Sequence, residues 1–340
     1  FDISLHPNEV NRFGYILEID PFKPNNPPKK LSSLGRFKHE NAATVVNHDN
    51  RIVVYMGDDE RGEFLYRFVS KSVFNAEAHS PSPLEKGTLS VAKFDDDGHG
   101  TWIDLTPQTT GMSSEAEICI HTRTAGSLVG ATTMDRPEWI AVSPHNEAIF
   151  CCLTNNKHRG IKPNAGGDPT PIGGPNPRSP NKYGQIIQWQ PDNNDHTGRN
   201  FTWDMFALAG NPLVNSGLDA GSSNINLTNF FNSPDGLAFD TLGRLWIQTD
   251  GNYSGTGAFS GMGNNQMLAA NPYTAEIKRF LVGPKECEVT GITWSADRKT
   301  MFVGIQHPGE LGHSHFPDGG NSVPRSSIIA VRRNDGRIVG

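Results

Sequence analysis

The sequence has few cysteines, no long apolar run, no concentration of basic residues and none of the short signatures that mark common enzyme classes. The four cysteines are Cys119, Cys151, Cys152 and Cys287, and no two form a CxxC pair. That spacing excludes a zinc knuckle, and the thiols read as small buried hydrophobes that leave the compartment open. No apolar stretch approaches the roughly 18 residues of a transmembrane helix, so no membrane span is expected. Net charge is −6 and Lys and Arg are scattered, which argues against nucleic acid as a partner. A G-x-x-x-x-G-K-[ST] loop, a G-x-S-x-G elbow, an HExxH helix and a GxGxxG turn are all missing. The sequence starts at Phe1 without a signal-like segment; the expectation is a removed leader or a piece of a longer protein.

Turn formers are abundant. With 36 Gly and 24 Pro in 340 residues, and aromatics spread along the whole length, the composition predicts an all-β chain with many turns. One pattern recurs four times: an acidic residue, an apolar strand, a polar turn, a second apolar strand and a polar cluster. The copies predict inner hairpins near 39–59, 137–155, 234–250 and 287–307, with more variable strands between them. An inner hairpin plus a variable outer pair is the build of a propeller blade. The expectation is therefore one β-propeller domain or the C-terminal part of one over 1–340, with about four blades. The acids Glu40, Glu138, Asp235 and Glu288 lie 98, 97 and 53 residues apart. Compact blades take about 40–50 residues, so long insertions are expected at 95–135 and 156–182, the latter as a mobile Gly/Pro-rich surface loop. Any helix should be short, near 113–120. Asp95–Gly98 reads as a hairpin turn, and Asn264–Gln266 as a turn cap.

In a propeller, equivalent positions surround one axis, so Glu40, Glu138, Asp235 and Glu288 should converge at one mouth of the channel. Several carboxylates in one concavity repel, and cations between them relieve the repulsion. Oxygen ligands at that charge density suit Ca²⁺, or a ferric or Mn-type ion. Taken singly, Asp235 in Pro-Asp-Gly is also ordinary turn chemistry, and Glu288 could staple a blade. Arg136, two residues before Glu138, faces the same side on an extended chain. It is either a phosphate-binding group beside metal or a salt-bridge partner of the ring. Asp58, Asp59, Arg61, Asp250 and His307 end the second strands of the hairpins and are further candidates, at the same mouth or the opposite one.

Long segments here resemble the PhoX-type alkaline phosphatase family. They include Glu9–Tyr15, Gly57–Phe68, Arg136–Trp139, Leu245–Gly251, Gly261–Leu268, Cys287–Gly291 and Gln306–Glu310. The resemblance implies a six-bladed propeller with extra helices and an exported, periplasmic or secreted bacterial phosphomonoesterase, expected to be a monomer. It implies Ca²⁺ and Fe³⁺ as cofactors and small phosphate esters as substrates. By the same resemblance Glu40, Glu138 and Asp235 match metal ligands, and Arg136 matches a phosphate-binding arginine. The family's iron-ligating cysteine and a phosphate-contacting lysine lie in an N-terminal part with no counterpart here, so the site is expected to be incomplete. Two alternatives remain at this stage: a calcium-stabilised propeller binding module and a calcium-dependent propeller lactonase.

Overall fold

Each of the four repeats folds as an antiparallel β-unit in the computed structural model, which describes residues 2–75 and 82–340. A short hairpin, β1 (Ile16–Glu18) and β2 (Lys29–Leu31), precedes them. The first unit comprises β3 (Ala43–Val46), β4 (Arg51–Gly57), β5 (Leu65–Val73) and β6 (Gly87–Phe94), followed by β7 (His99–Asp104). The second comprises β8 (Pro137–Val142), β9 (Ile149–Leu153), β10 (Gln185–Pro191) and β11 (Asn200–Leu208). The third is β12 (Pro234–Phe239), β13 (Leu245–Thr249), β14 (Gln266–Ala270) and β15 (Ile277–Val282); the fourth is β16 (Glu288–Trp294), β17 (Thr300–Gln306) and β18 (Ser327–Arg332). The all-β, propeller class read from the sequence holds, and β3–β4, β8–β9, β12–β13 and β16–β17 pair antiparallel.

The units stack face to face because their strands are apolar on both sides, as in any strand buried between two layers. Cys151 and Cys152 show the period-two rule directly. Cys151 packs with Val53, Tyr55, Ile140 and Trp189 between the first two units, and Cys152 packs with Phe150, Ile186, Leu237 and Ile247 between the second and third. Trp246, Met267, Val289 and Val303 form the layer between the third and fourth. All four thiols are free.

Two features depart from the expectation. The first two units are one nine-stranded sheet, because β7, paired to β6 through the Asp95–Gly98 turn, also pairs with β11. Neither β7 nor β11 stood out in the sequence. After β7 come three short helices, α1 (Pro107–Thr110), α2 (Glu115–Ile120) and α3 (Thr122–Leu128). The second departure is the 156–182 segment, expected on the surface. It is irregular, yet Arg159, Asn176, Arg178 and Asn181 are buried in it. Arg159 Nε meets Asp135 Oδ1 at 2.6 Å, its Nη2 donates to Thr133 O at 2.9 Å, and Asn181 Nδ2 donates to Asp135 Oδ2 at 2.8 Å. Gly and Pro there set the path, and buried amides and guanidinium groups satisfy the backbone that no ladder can.

Candidate metal centre

The local backbone presents the acids in a repeated way. In the second and third units the residue before the strand has a left-handed backbone, Arg136 at φ 57 and Ser233 at φ 50, and Glu286 in the fourth has φ 57. Each stands two residues before its acid: Glu138, Asp235 and Glu288. Bulges follow, with the register shifting between Pro137 and Ile140, between Pro234 and Leu237, and between Thr290 and Ile292. Such kinks at non-glycine residues are strained and re-aim side chains. They turn Glu138 and Asp235, which would otherwise lie in a ladder, into the mouth.

Antiparallel pairing settles which mouth the second strands end at. Pro137 pairs with Leu153, Pro234 with Thr249 and Glu288 with Gln306, and His39 bridges Asp58. The end of each second strand therefore lies beside the start of its first, so Asp59, Asp250 and His307 are on the same side as the ring, not the opposite one. Gly57 makes this possible between the first two units: a Cβ there would sit 2.3 Å from Pro137 O. Asn41 completes the junction. Its Nδ2 donates to Ile140 O at 2.8 Å, and its Oδ1 accepts from Ile140 N at 3.2 Å, so the amide stands in for a strand neighbour.

Glu40, Asp59 and Glu138 each offer a carboxylate oxygen, and these lie within 4.8 Å of one another. Glu40 is exposed at the rim and Glu138 is fully buried. Arg136 forks across Asp59, Nε to Oδ1 at 2.7 Å and Nη2 to Oδ2 at 3.0 Å, and Nη2 also reaches Glu138 Oε1 at 3.1 Å. Glu138 Oε2 is buried and has no partner among the described residues. One guanidinium is too little for this group. Burial, then the charges of Asp235, Asp59 and Glu40, push the Glu138 carboxyl up to about 12. Burial and then Glu288, Asp250, Glu40 and Asp59 hold Asp235 well above the carboxylate range. Burial first, then Asp59, raises Glu40; burial, then Asp250, raises Glu288. Asp250 is raised too, by burial, against the lowering pull of Arg136 and His307.

The other sequence candidates divide. Glu288 accepts from Gln306 Nε2 at 2.8 Å and faces His307 Nε2 at 3.6 Å, so it is partly a staple and partly in reach of the acids. Asp58 is turned away. Arg123 of α3 binds both its oxygens, at 2.6 and 2.7 Å, and anchors the helices to the first unit. Arg61 lies beside Asp135 by a backbone bridge; its nearest acid is Glu60 at 3.9 Å, and its buried Nε is unpartnered among the described residues. Asn265 links units, accepting from Gly251 N at 2.6 Å and donating to Cys287 O at 2.8 Å, so it joins distant segments rather than capping its own turn. Glu286 and Glu310 were missed in the sequence. Glu310 lies 3.8 Å from His307 Nδ1 and accepts from Tyr253 Oη at 3.4 Å. Only their nearness to Glu288 and His307 in the chain could have drawn attention to them.

An oxygen-only pocket with surplus negative charge and an orphaned buried carboxylate oxygen fits hard cations. Comparison with known proteins agrees in kind. A comparison with curated protein sequences gave no match. Among solved structures, 38 chains match, including one described as Pseudomonas fluorescens PhoX in complex with vanadate, a transition state analogue. This chain is 54% identical to it at a TM-score of 0.95, with all of this chain and 60% of that one covered, so the chain spans about three fifths of that relative's length. The sequence pattern described as Alkaline phosphatase PhoX matches residues 1–309, and the chain belongs to that family.

Proposed function

We propose that the chain carries the metal- and phosphate-binding face of a metal-dependent alkaline phosphatase acting on small phosphate monoesters. The observation that carries this is the Arg136 fork across Asp59 and Glu138 beside an unpartnered buried carboxylate oxygen. Glu40, Asp59 and Glu138 would hold a cation, with Asp235, Asp250 and Glu288 extending the site. Calcium and ferric ions, the pair that the family resemblance implies, supply charge neutralisation and polarisation of the phosphate when bound. Asp59 and Glu138 orient the guanidinium. Arg136 Nη1 makes no hydrogen bond among the described residues and is free to donate to a phosphate oxygen, where its charge stabilises the extra negative charge of the transition state. The left-handed backbone at Arg136 fixes that direction before substrate arrives.

Family membership favours phosphate over lactone chemistry. The binding-module reading keeps one support: the chain matches 60% of the solved relative, so groups that complete its site can lie outside the matched part. Among the described residues no helix is long and apolar enough to cross a membrane. Export to the periplasm, a monomeric state and four propeller blades are part of the same proposal. Elemental analysis with a p-nitrophenyl phosphate assay in added calcium tests it. Iron with calcium and turnover supports the phosphatase. Calcium alone, with calcium-dependent melting and no turnover, supports the binding module.

A further inference from the structure

The repeat position that carries Arg136 in the second unit carries Glu286 in the fourth, with the same left-handed backbone (φ 57 in both). Arg136 is aimed into the acidic mouth. Glu286 is aimed the other way, into the turn that follows β17. It is buried, and its Oε2 accepts from the backbone N–H of Leu311 at 2.9 Å and of His313 at 3.1 Å. Its Oε1 lies 2.6 Å from His313 Nδ1. One carboxylate thus closes three contacts onto two residues of a single turn. The turn's other ties are backbone ones and one hydroxyl: Gly309 N donates to Lys285 O at 3.1 Å, Gly312 N to Gly309 O at 2.9 Å and His307 N to Ser326 Oγ at 3.0 Å, and His307, Gly309 and Gly312 all have positive φ.

What the turn carries gives the clamp its consequence. His307 faces Glu288 at 3.6 Å and Glu310 at 3.8 Å, and Glu310 accepts from Tyr253 Oη. His307 Nδ1 is buried and otherwise unpartnered among the described residues. The turn is also one wall of a cavity of about 610 Å³, which Tyr253, Lys285, Leu311 and His313 help to line. We propose that Glu286 is a positioning residue: it holds the 307–313 turn against the mouth, so that His307 and Glu310 complete the rim of the metal centre. This role rests on the metal-site reading above. It acts through the turn, because Glu286 itself is spent on Leu311 and His313.

The test uses three forms of the protein, metal-loaded for exchange and calcium-stripped for titration: native, Glu286→Ala and Glu286→Gln. Gln keeps an oxygen for the two backbone N–H groups and loses only the charge facing His313. Hydrogen exchange at 308–313 and calcium affinity by titration calorimetry are read for each. In Glu286→Ala, exchange at 308–313 should quicken by about tenfold or more while the strands of the first two units keep their protection, and calcium should bind about tenfold more weakly, the effect of losing charge-assisted bonds that hold a ligand-bearing turn. Glu286→Gln should recover most of both. Unchanged exchange at 308–313 in Glu286→Ala would overturn the clamp. Quicker exchange with native calcium affinity would reduce Glu286 to a local structural contact and overturn the positioning role. A native protein that takes up no calcium would overturn the metal reading itself and this role with it, while the exchange rates would still report whether the clamp exists.

Discussion

Two clusters of buried charge lie a few residues apart in the second unit, and they are built on opposite principles. Around Asp135, every charge has its complement. Arg159 supplies one oxygen's partner and Asn181 the other's, and Thr133 and the Pro171 carbonyl accept from the two Nη groups. Around Glu138, one guanidinium serves Asp59 and Glu138 while Glu40, Asp235, Asp250 and Glu288 crowd in. The first cluster is complete as folded. The second becomes neutral only when something positive joins it. A protein retains such an excess where a ligand supplies the balance, and the difference separates a structural ion pair from a site.

The comparison can be broken most forcefully at Arg159. Arg159→Ala should lower unfolding stability by about 3–5 kcal/mol, because it strands the Asp135 carboxylate in the interior. Denaturant melts should show that loss equally with and without calcium; a calcium-dependent loss would mean that the two clusters are not independent. On the phosphatase reading, Arg136→Ala should cost turnover more than folding, reducing phosphate-ester turnover about 10²–10³-fold. Native turnover in that variant would remove Arg136 from the chemistry. Adding calcium at about 100 times its dissociation constant should stabilise the native chain by about 2.7 kcal/mol, and chelation should reverse the gain. Gly57→Ala forces the end of β4 away from Pro137 O and should cost about 1–3 kcal/mol, with weaker calcium binding as its signature.

The finest of these tests is a pH series. Glu138 sits at about 12 against an ordinary 4.5, so the fold favours its protonated form. That contribution is complete below 4.5 and erodes as pH rises toward 12. Metal-free protein should therefore melt at falling temperatures between pH 5 and 9. Calcium requires the ionised carboxylate, and it should flatten or invert the slope; parallel slopes with and without calcium would count against cation binding at Glu138.

The hairpins and the candidate acids Glu40, Glu138, Asp235 and Glu288 stand out in the sequence because they repeat, and a repeat converts sequence position into angular position around an axis. What does not repeat was hard to read. Asp58 and Asp59 are adjacent acids at a strand end, and only the placement of Arg123, 65 residues away from Asp58, decides which of them faces the helices. Asp59 brings a carboxylate oxygen within 4.8 Å of those of Glu40 and Glu138. The mouth at which Asp250 and His307 end follows from antiparallel register, which sets the end of each second strand beside the start of its first. The strands β7 and β11 lie outside the acid-led inner hairpins that the repeat marks. The 156–182 segment was misjudged because Gly and Pro report backbone path, while its burial depends on distant partners such as Asp135. Glu286 escaped notice because its repeat position holds Arg in one unit and Ser in another, so equivalence in backbone was hidden by difference in side chain.

The β7–β11 pairing has a mechanical consequence. Glu40, Asp59, Arg136 and Glu138 all issue from the two edges of one continuous hydrogen-bonded sheet, while Asp235 with Asp250, and Glu288 with His307, belong to two separate sheets. The mouth is thus half anvil and half jaw. The first half is tied together by one strand ladder, and the second meets it without a ladder, through side-chain packing and loop hydrogen bonds such as Ser233 N to Tyr183 O at 2.6 Å.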